Sequence, residues 1–282
     1  MEATLAERVA QFKEQGYTIF ERMYAEPLMQ DWREKHRELQ ANGIRGNLGH
    51  PEWWFKDMVE HAPRLMLPAV ANPVILDFAE AVMGPFVQLD NLTLAGFPSV
   101  APEEAQGKVS GWHRDRWGQV PRGTTYERPH AINAICYLQN LTDAFGPLRA
   151  IPGSHRQTRI LLPEERNRPH PDEVTLHLNA GDVIVIHNCL LHSGTPNTSG
   201  QTRFFFSIFY NLTWLRHTDN HSGPNVQQIL RQAKARNDYR TMRLFGVDEH
   251  LEERANSGFL EDDEARWAAW VEADKAALLP AG

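Results

Sequence analysis

Gly111-Trp112-His113-Arg114-Asp115-Arg116-Trp117 sets a histidine and an aspartate two residues apart. Side chains alternate faces along an extended chain, so His113 and Asp115 share one face and Arg114 points to the other. An imidazole beside a carboxylate supplies two of the three ligands of a 2-His-1-carboxylate site, which holds non-haem Fe(II) and leaves coordination positions open. Read alone, H-x-D is more often a surface ion pair or a hydrogen-bonded loop. A metal site needs a third ligand from elsewhere in the chain.

A second chemical stretch runs from Ala180 to Asn197. Its Gly181-Asp182 turn feeds the apolar run Val183-Ile184-Val185-Ile186-His187. His192 follows in a Gly-, Pro- and Asn-rich turn, a position suited to completing a site. Arg203 then heads the strand Phe204-Phe205-Phe206-Ser207-Ile208. An arginine entering so apolar a strand needs an anionic partner to offset its desolvation. Its planar fork matches a carboxylate in bidentate fashion. His187, inside an apolar strand, reads as a core histidine, and His155 as a turn residue bonded to backbone. The alternate positions Phe204, Phe206 and Ile208 read as core.

Outward from these stretches the texture is β. Residues 87–97, 130–141, 148–151, 174–178, 183–187 and 203–212 are strand candidates separated by Gly, Pro and Asn turns. Many short strands with such punctuation indicate a sandwich or barrel. The first third is mainly helical. Leu5, Val9 and Phe12 recur at helical spacing up to Gly16, Pro27 opens a second helix, and Pro73 to Met83 forms another before Gly84-Pro85. Residues 17–20 form a short strand, and the chain from Asn225 is helical again. No linker or repeat divides these parts. The expectation is one domain over 1–282, with a helical part at about 1–85, a β-core at about 86–215 and a helical tail at about 216–282.

Composition is that of an ordinary globular chain, 41% hydrophobic and 23% charged. The net charge of −7, with no long basic run, offers no electrostatic footprint for nucleic acid. No apolar run approaches the roughly 20 residues of a membrane span. The amphipathic start, MEATLAERVAQFKEQG, lacks the apolar centre of a signal peptide. Cys136 and Cys189 sit in apolar runs and read as reduced, buried thiols. A cytoplasmic monomer or homodimer is the expectation.

The order H-x-D, distal His and Arg eleven residues later resembles the phytanoyl-CoA dioxygenase family of Fe(II)/2-oxoglutarate oxygenases. Gly146-Pro147-Leu148-Arg149-Ala150-Ile151-Pro152-Gly153-Ser154-His155 is similar to that family's G-P-L…P-G-S-H segment, and the Gly181-Asp182-Val183 turn matches too. The likeness covers roughly 84–212 well and fades toward the C-terminus.

The resemblance implies a mainly β fold, a double-stranded β-helix (jelly-roll, cupin-like) core with flanking N- and C-terminal helices. It implies His113, Asp115 and His192 as ligands of Fe(II), with 2-oxoglutarate and O2 as cosubstrates. Arg203 would grip the distal carboxylate of 2-oxoglutarate, and Lys56 and Thr93 fall at positions of further cosubstrate contacts. Some members place a cosubstrate-binding Ser two residues past the distal His; here that position is Gly194, with Ser193 one residue early. Related halogenases carry Ala or Gly in place of the carboxylate, so Asp115 argues for hydroxylation or another oxygenase outcome on a small-molecule substrate. Asn133 and Tyr137, together with Arg116 and Trp117, are candidate substrate contacts, and residues 118–130 a candidate lid. Two rival readings are a non-catalytic jelly-roll binder of small molecules and a metal-dependent cupin isomerase or hydrolase. The second leaves Arg203 without a role.

Overall fold

A computed structural model describes residues 3–44, 53–116, 118, 128–159, 161–256 and 262–280. The chain divides into two compact units, one of residues 1–56 and 93–209, the other of 57–92 and 210–282.

The first unit begins with the helix Leu5–Gln15. Thr4 caps it, with Glu7 completing a reciprocal capping box. Gly16 ends it in the left-handed region at φ 84°. Strand β1 (Tyr17–Phe20) follows, then the helix Glu26–Ala41, which buries Met29, Trp32, His36 and Leu39 along one face. The remaining strands are β2 (Trp54–Phe55), β3 (Val87–Phe97), β4 (Ala131–Tyr137), β5 (Leu148–Ala150), β6 (Val174–Leu176), β7 (Val183–His187), β8 (His192–Gly194) and β9 (Arg203–Leu212). Among the described residues one sheet has the order β1-β7-β4-β9-β3-β2 and the other β6-β5-β8. The registered pairs are antiparallel.

Strand parity decides which residues meet. Ala95, Ile135, Tyr137 and Phe205 from the larger sheet pack with Leu148 and Ala150 from the smaller one in a single buried cluster. The inner face of β4 therefore carries Asn133, Ile135 and Tyr137, and that of β9 carries Arg203, Phe205 and Ser207. Phe206 lies on the opposite face of β9, edge-on to Trp32 and Tyr24. Phe204, Phe206 and Ile208 are buried, as core residues should be.

In the second unit the helix Pro73–Met83 is capped by Asn72, whose side chain accepts from the N–H groups of Val74 and Ile75. The helices Pro224–Ala235, Tyr239–Leu244 and Asp263–Ala277 complete it. Arg243 and Arg254 clamp Asp274 there, and Asp248 pairs with both arginines.

Helix outweighs strand, 37% to 19%, so the chain is a mixed α/β protein with antiparallel sheets and not the mainly β one expected. The β-core alone dominates the sequence pattern; helices outside it carry the balance. No single described helix is long and apolar enough to cross a membrane.

Candidate metal centre and its relatives

The H-x-D segment is extended but is not a regular strand. It runs antiparallel to β8, which lies between it and β5. His113 and His192 exchange backbone hydrogen bonds at 3.1 Å in both directions, and Ser110 N–H donates to the Gly194 carbonyl at 2.8 Å. Asp115 N–H donates to the Asn188 carbonyl at 2.9 Å. Arg114 points to the other side, as parity demands, and donates to the carbonyls of Ser154, Gln157 and Cys189. Trp112 is buried with Val109, Ile151 and Leu191, and its indole N–H donates to the Arg168 carbonyl.

This pairing brings His113, Asp115 and His192 together, with one ligand atom from each lying within 4.8 Å of the others. Nε2 of His113 is 3.8 Å and Nε2 of His192 is 3.7 Å from Asp115 Oδ1. Those separations exceed a hydrogen bond. They fall within the roughly 4.4 Å that two ligand bonds of about 2.2 Å can span, so one ion can reach both pairs. The tautomers agree. Nδ1 of His113 lies 2.8 Å from the Gly111 carbonyl and Nδ1 of His192 3.0 Å from that of Leu190. A carbonyl only accepts, so each Nδ1 carries the proton and each Nε2 offers a lone pair. Burial holds the His192 pKa below its usual value, partly opposed by the Asp115 charge, which favours the neutral imidazole that a metal requires.

Arg203 is buried at the head of β9. Its Nη1 donates to the carbonyls of Phe145, Gly146 and Thr195. Its Nε is buried without a partner, and no carboxylate pairs with it among the described residues. A buried guanidinium with an orphaned donor fits the carboxylate end of 2-oxoglutarate. Burial lowers its pKa, and the nearby Tyr137 opposes that shift. Thr93 is buried and makes a long bond, 3.5 Å, to the Ser207 carbonyl. Trp54 pairs with Ala95 and Phe55 with Leu94, and Lys56 is half-buried just past the end of β2.

The other candidates are placed less directly. Ser193 Oγ accepts from Gly111 N–H at 3.0 Å, tying β8 to the H-x-D segment. Asn133 has both ends of its amide engaged, Nδ2 on Asp115 and Oδ1 on Ser207. Tyr137 is buried against Phe205. Arg116 is exposed beside the triad, and its carbonyl accepts from Asn188. Trp117 and residues 119–127 of the candidate lid lie outside the described residues. His155 and His187 are both buried, and His155 bonds to the Lys13 carbonyl as a turn histidine should. Cys136 and Cys189 are free, buried thiols. Ser207 escaped sequence reading. Its signal was parity with Arg203 and Phe205 inside an otherwise apolar strand.

L-proline trans-4-hydroxylase of Streptomyces griseoviridis is 26% identical over 169 residues, 50% of this chain and 61% of that enzyme. The match thus spans less than two thirds of this curated relative. The crystal structure of HygX from Streptomyces hygroscopicus with nickel and 2-oxoglutarate shares the fold with a TM-score of 0.61 at 15% identity, covering 77% of this chain and 90% of that one. The non-haem α-ketoglutarate-dependent epimerase SnoN from nogalamycin biosynthesis does so with a TM-score of 0.57 at 21% identity, over 74% and 81%. The model of the phytanoyl-CoA dioxygenase family matches residues 6–205. That span takes in His113, Asp115, His192 and Arg203, and by it the chain belongs to the phytanoyl-CoA dioxygenase family.

Proposed function

We propose that this chain is a 2-oxoglutarate-dependent non-haem iron oxygenase, its β-core a double-stranded β-helix, that hydroxylates an unactivated C–H bond of a small molecule. The observation that carries the reading is the convergence of two imidazole Nε2 atoms and one carboxylate oxygen, supplied by distant segments. Bound Fe(II), with O2 and 2-oxoglutarate, would supply the oxidising power, releasing succinate and CO2. The protein's part is to bind, orient and shield. His113, Asp115 and His192 would hold the metal on one face, their Nδ1–H bonds keeping both rings in register. Arg203 would bind the distal carboxylate of the cosubstrate, with Lys56 and Thr93 as its further contacts. Tyr137 and Phe205 would line the wall and exclude water. The relative named a proline hydroxylase favours hydroxylation as the outcome.

Succinate release from 2-oxoglutarate with added Fe(II) and O2, screened against a panel of small metabolites, tests this. Stimulated succinate formation is expected from the wild type and none from His113→Ala. Arg203→Ala should weaken apparent 2-oxoglutarate affinity by about 2–5 kcal/mol, the range for truncating a buried charge partner. Full coupled turnover in His113→Ala would overturn the ligand assignment.

A further inference from the structure

The two oxygens of Asp115 have different neighbours. Oδ1 faces Nε2 of both histidines, at 3.8 and 3.7 Å. Oδ2 accepts a hydrogen bond from Asn133 Nδ2 at 3.2 Å. A carboxylate only accepts, so Asn133 must turn its NH2 group to Asp115. Its carbonyl oxygen is then left for Ser207, whose hydroxyl donates at 2.7 Å. These bonds fix the amide in one orientation. Asn133 on β4 and Ser207 on β9 stand on adjacent strands, and both are buried.

We propose that Asn133, oriented by Ser207, is a positioning residue that occupies Asp115 Oδ2 and so makes Asp115 a one-oxygen metal ligand through Oδ1. This role rests on the oxygenase reading of the site. A carboxylate that swings both oxygens onto a metal takes two coordination positions. One held to a single oxygen keeps a position free, and this chemistry needs three: two for a chelating 2-oxo acid and one for O2. Partners in the outer shell of metal sites typically change metal affinity 10–100-fold when removed. The inference gives Asn133 a task other than contact with substrate.

Co(II), a redox-stable probe, reports the site without turnover. It is titrated into the full chain by calorimetry and visible absorption, for the wild type, Asn133→Ala, Asn133→Leu, Ser207→Ala and Ser207→Thr. Asn133→Leu keeps the side-chain volume and removes the donor, which separates lost positioning from a cavity. Asn133→Ala and Asn133→Leu are expected to weaken Co(II) binding by about 10–100-fold and to alter the ligand-field absorption. Ser207→Ala should shift both in the same direction by less, and Ser207→Thr, which keeps the hydroxyl, should restore the wild-type spectrum. Adding 2-oxoglutarate should perturb the Co(II) spectrum of the wild type more than that of Asn133→Leu. Wild-type affinity and an unchanged spectrum in Asn133→Leu and Ser207→Ala would overturn the role of Asn133 alone. A wild type that takes up no Co(II) would remove the oxygenase reading, and this role with it.

Discussion

The two nitrogens of His155 live in different surroundings. Nε2 lies 3.1 Å from the Lys13 carbonyl and therefore carries the proton. Nδ1 is buried without a partner against Gly16, where even a Cβ would approach it to 2.6 Å. Burial above all pushes the pKa down from 6.5 to about 4; the Lys13 bond opposes this, and Arg156 and Arg114 add to it. An unfolded chain would therefore bind a proton between pH 6.5 and about 4 that the folded chain refuses. Stability from this group is complete above pH 6.5 and is lost as the pH falls through that window. Tm should decline on acidification there, and His155→Phe should flatten the decline; an identical slope in the variant would refute the assignment. His221, pushed by burial to about 4 as well, and His36 and His192, also depressed by burial, leave a residual slope. At this scale the sequence was informative about residue type. His155, His187, Cys136 and Cys189 all sit where local pattern put them, because an apolar run or a turn signals its surroundings locally. The allegiance of Asn133 was not legible, since its partners Asp115 and Ser207 come from other segments.

Elements bring these side chains to bear, and short ones matter most. The strand candidates at 87–97, 183–187 and 203–212 emerge with their expected bounds, because long alternating or apolar runs mark strands strongly. Strand β8, three residues long, has no periodicity to read, yet it carries His192. The H-x-D segment is held by pairing with β8 rather than by regular strand structure of its own. Gly146 shows how tightly such joints are built. At φ 79° its missing Cβ would lie 2.3 Å from the Thr195 carbonyl oxygen and 2.6 Å from Arg203 Nη1. Gly146→Ala should cost about 1–3 kcal/mol from backbone strain, with the steric clash adding to it. It should also dislodge Arg203, raising the KM for 2-oxoglutarate while leaving Co(II) affinity near the wild-type value. An unaltered KM would show that Arg203 does not depend on this turn.

At the scale of the whole chain, a buried charge network of two arginines and two aspartates lies in the second unit. Arg243 and Arg254 each donate to Asp274 at 2.6 Å, with little solvent reaching any of the three. Removing the acid leaves two buried cations to share Asp248 alone, so Asp274→Ala should destabilise the fold by about 3–5 kcal/mol, read as a drop in the denaturant midpoint. Nothing in the sequence around these residues announced the network, and the helical additions as a group outweigh the strands that dominated the pattern. By itself the sequence determined the donor chemistry: which imidazoles, carboxylate and guanidinium were candidates, and the order of the motifs that mark the family. Those are properties of residue type and spacing, carried by the chain in one dimension. Only the tertiary structure decided that His113 and His192 pair backbone to backbone, that one oxygen of Asp115 faces both rings while the other is held by Asn133, and that Arg203 keeps an unpaired donor in the interior. Each depends on register between segments far apart in the chain, and cross-strand register is set by the packing of faces against each other, which no local periodicity encodes.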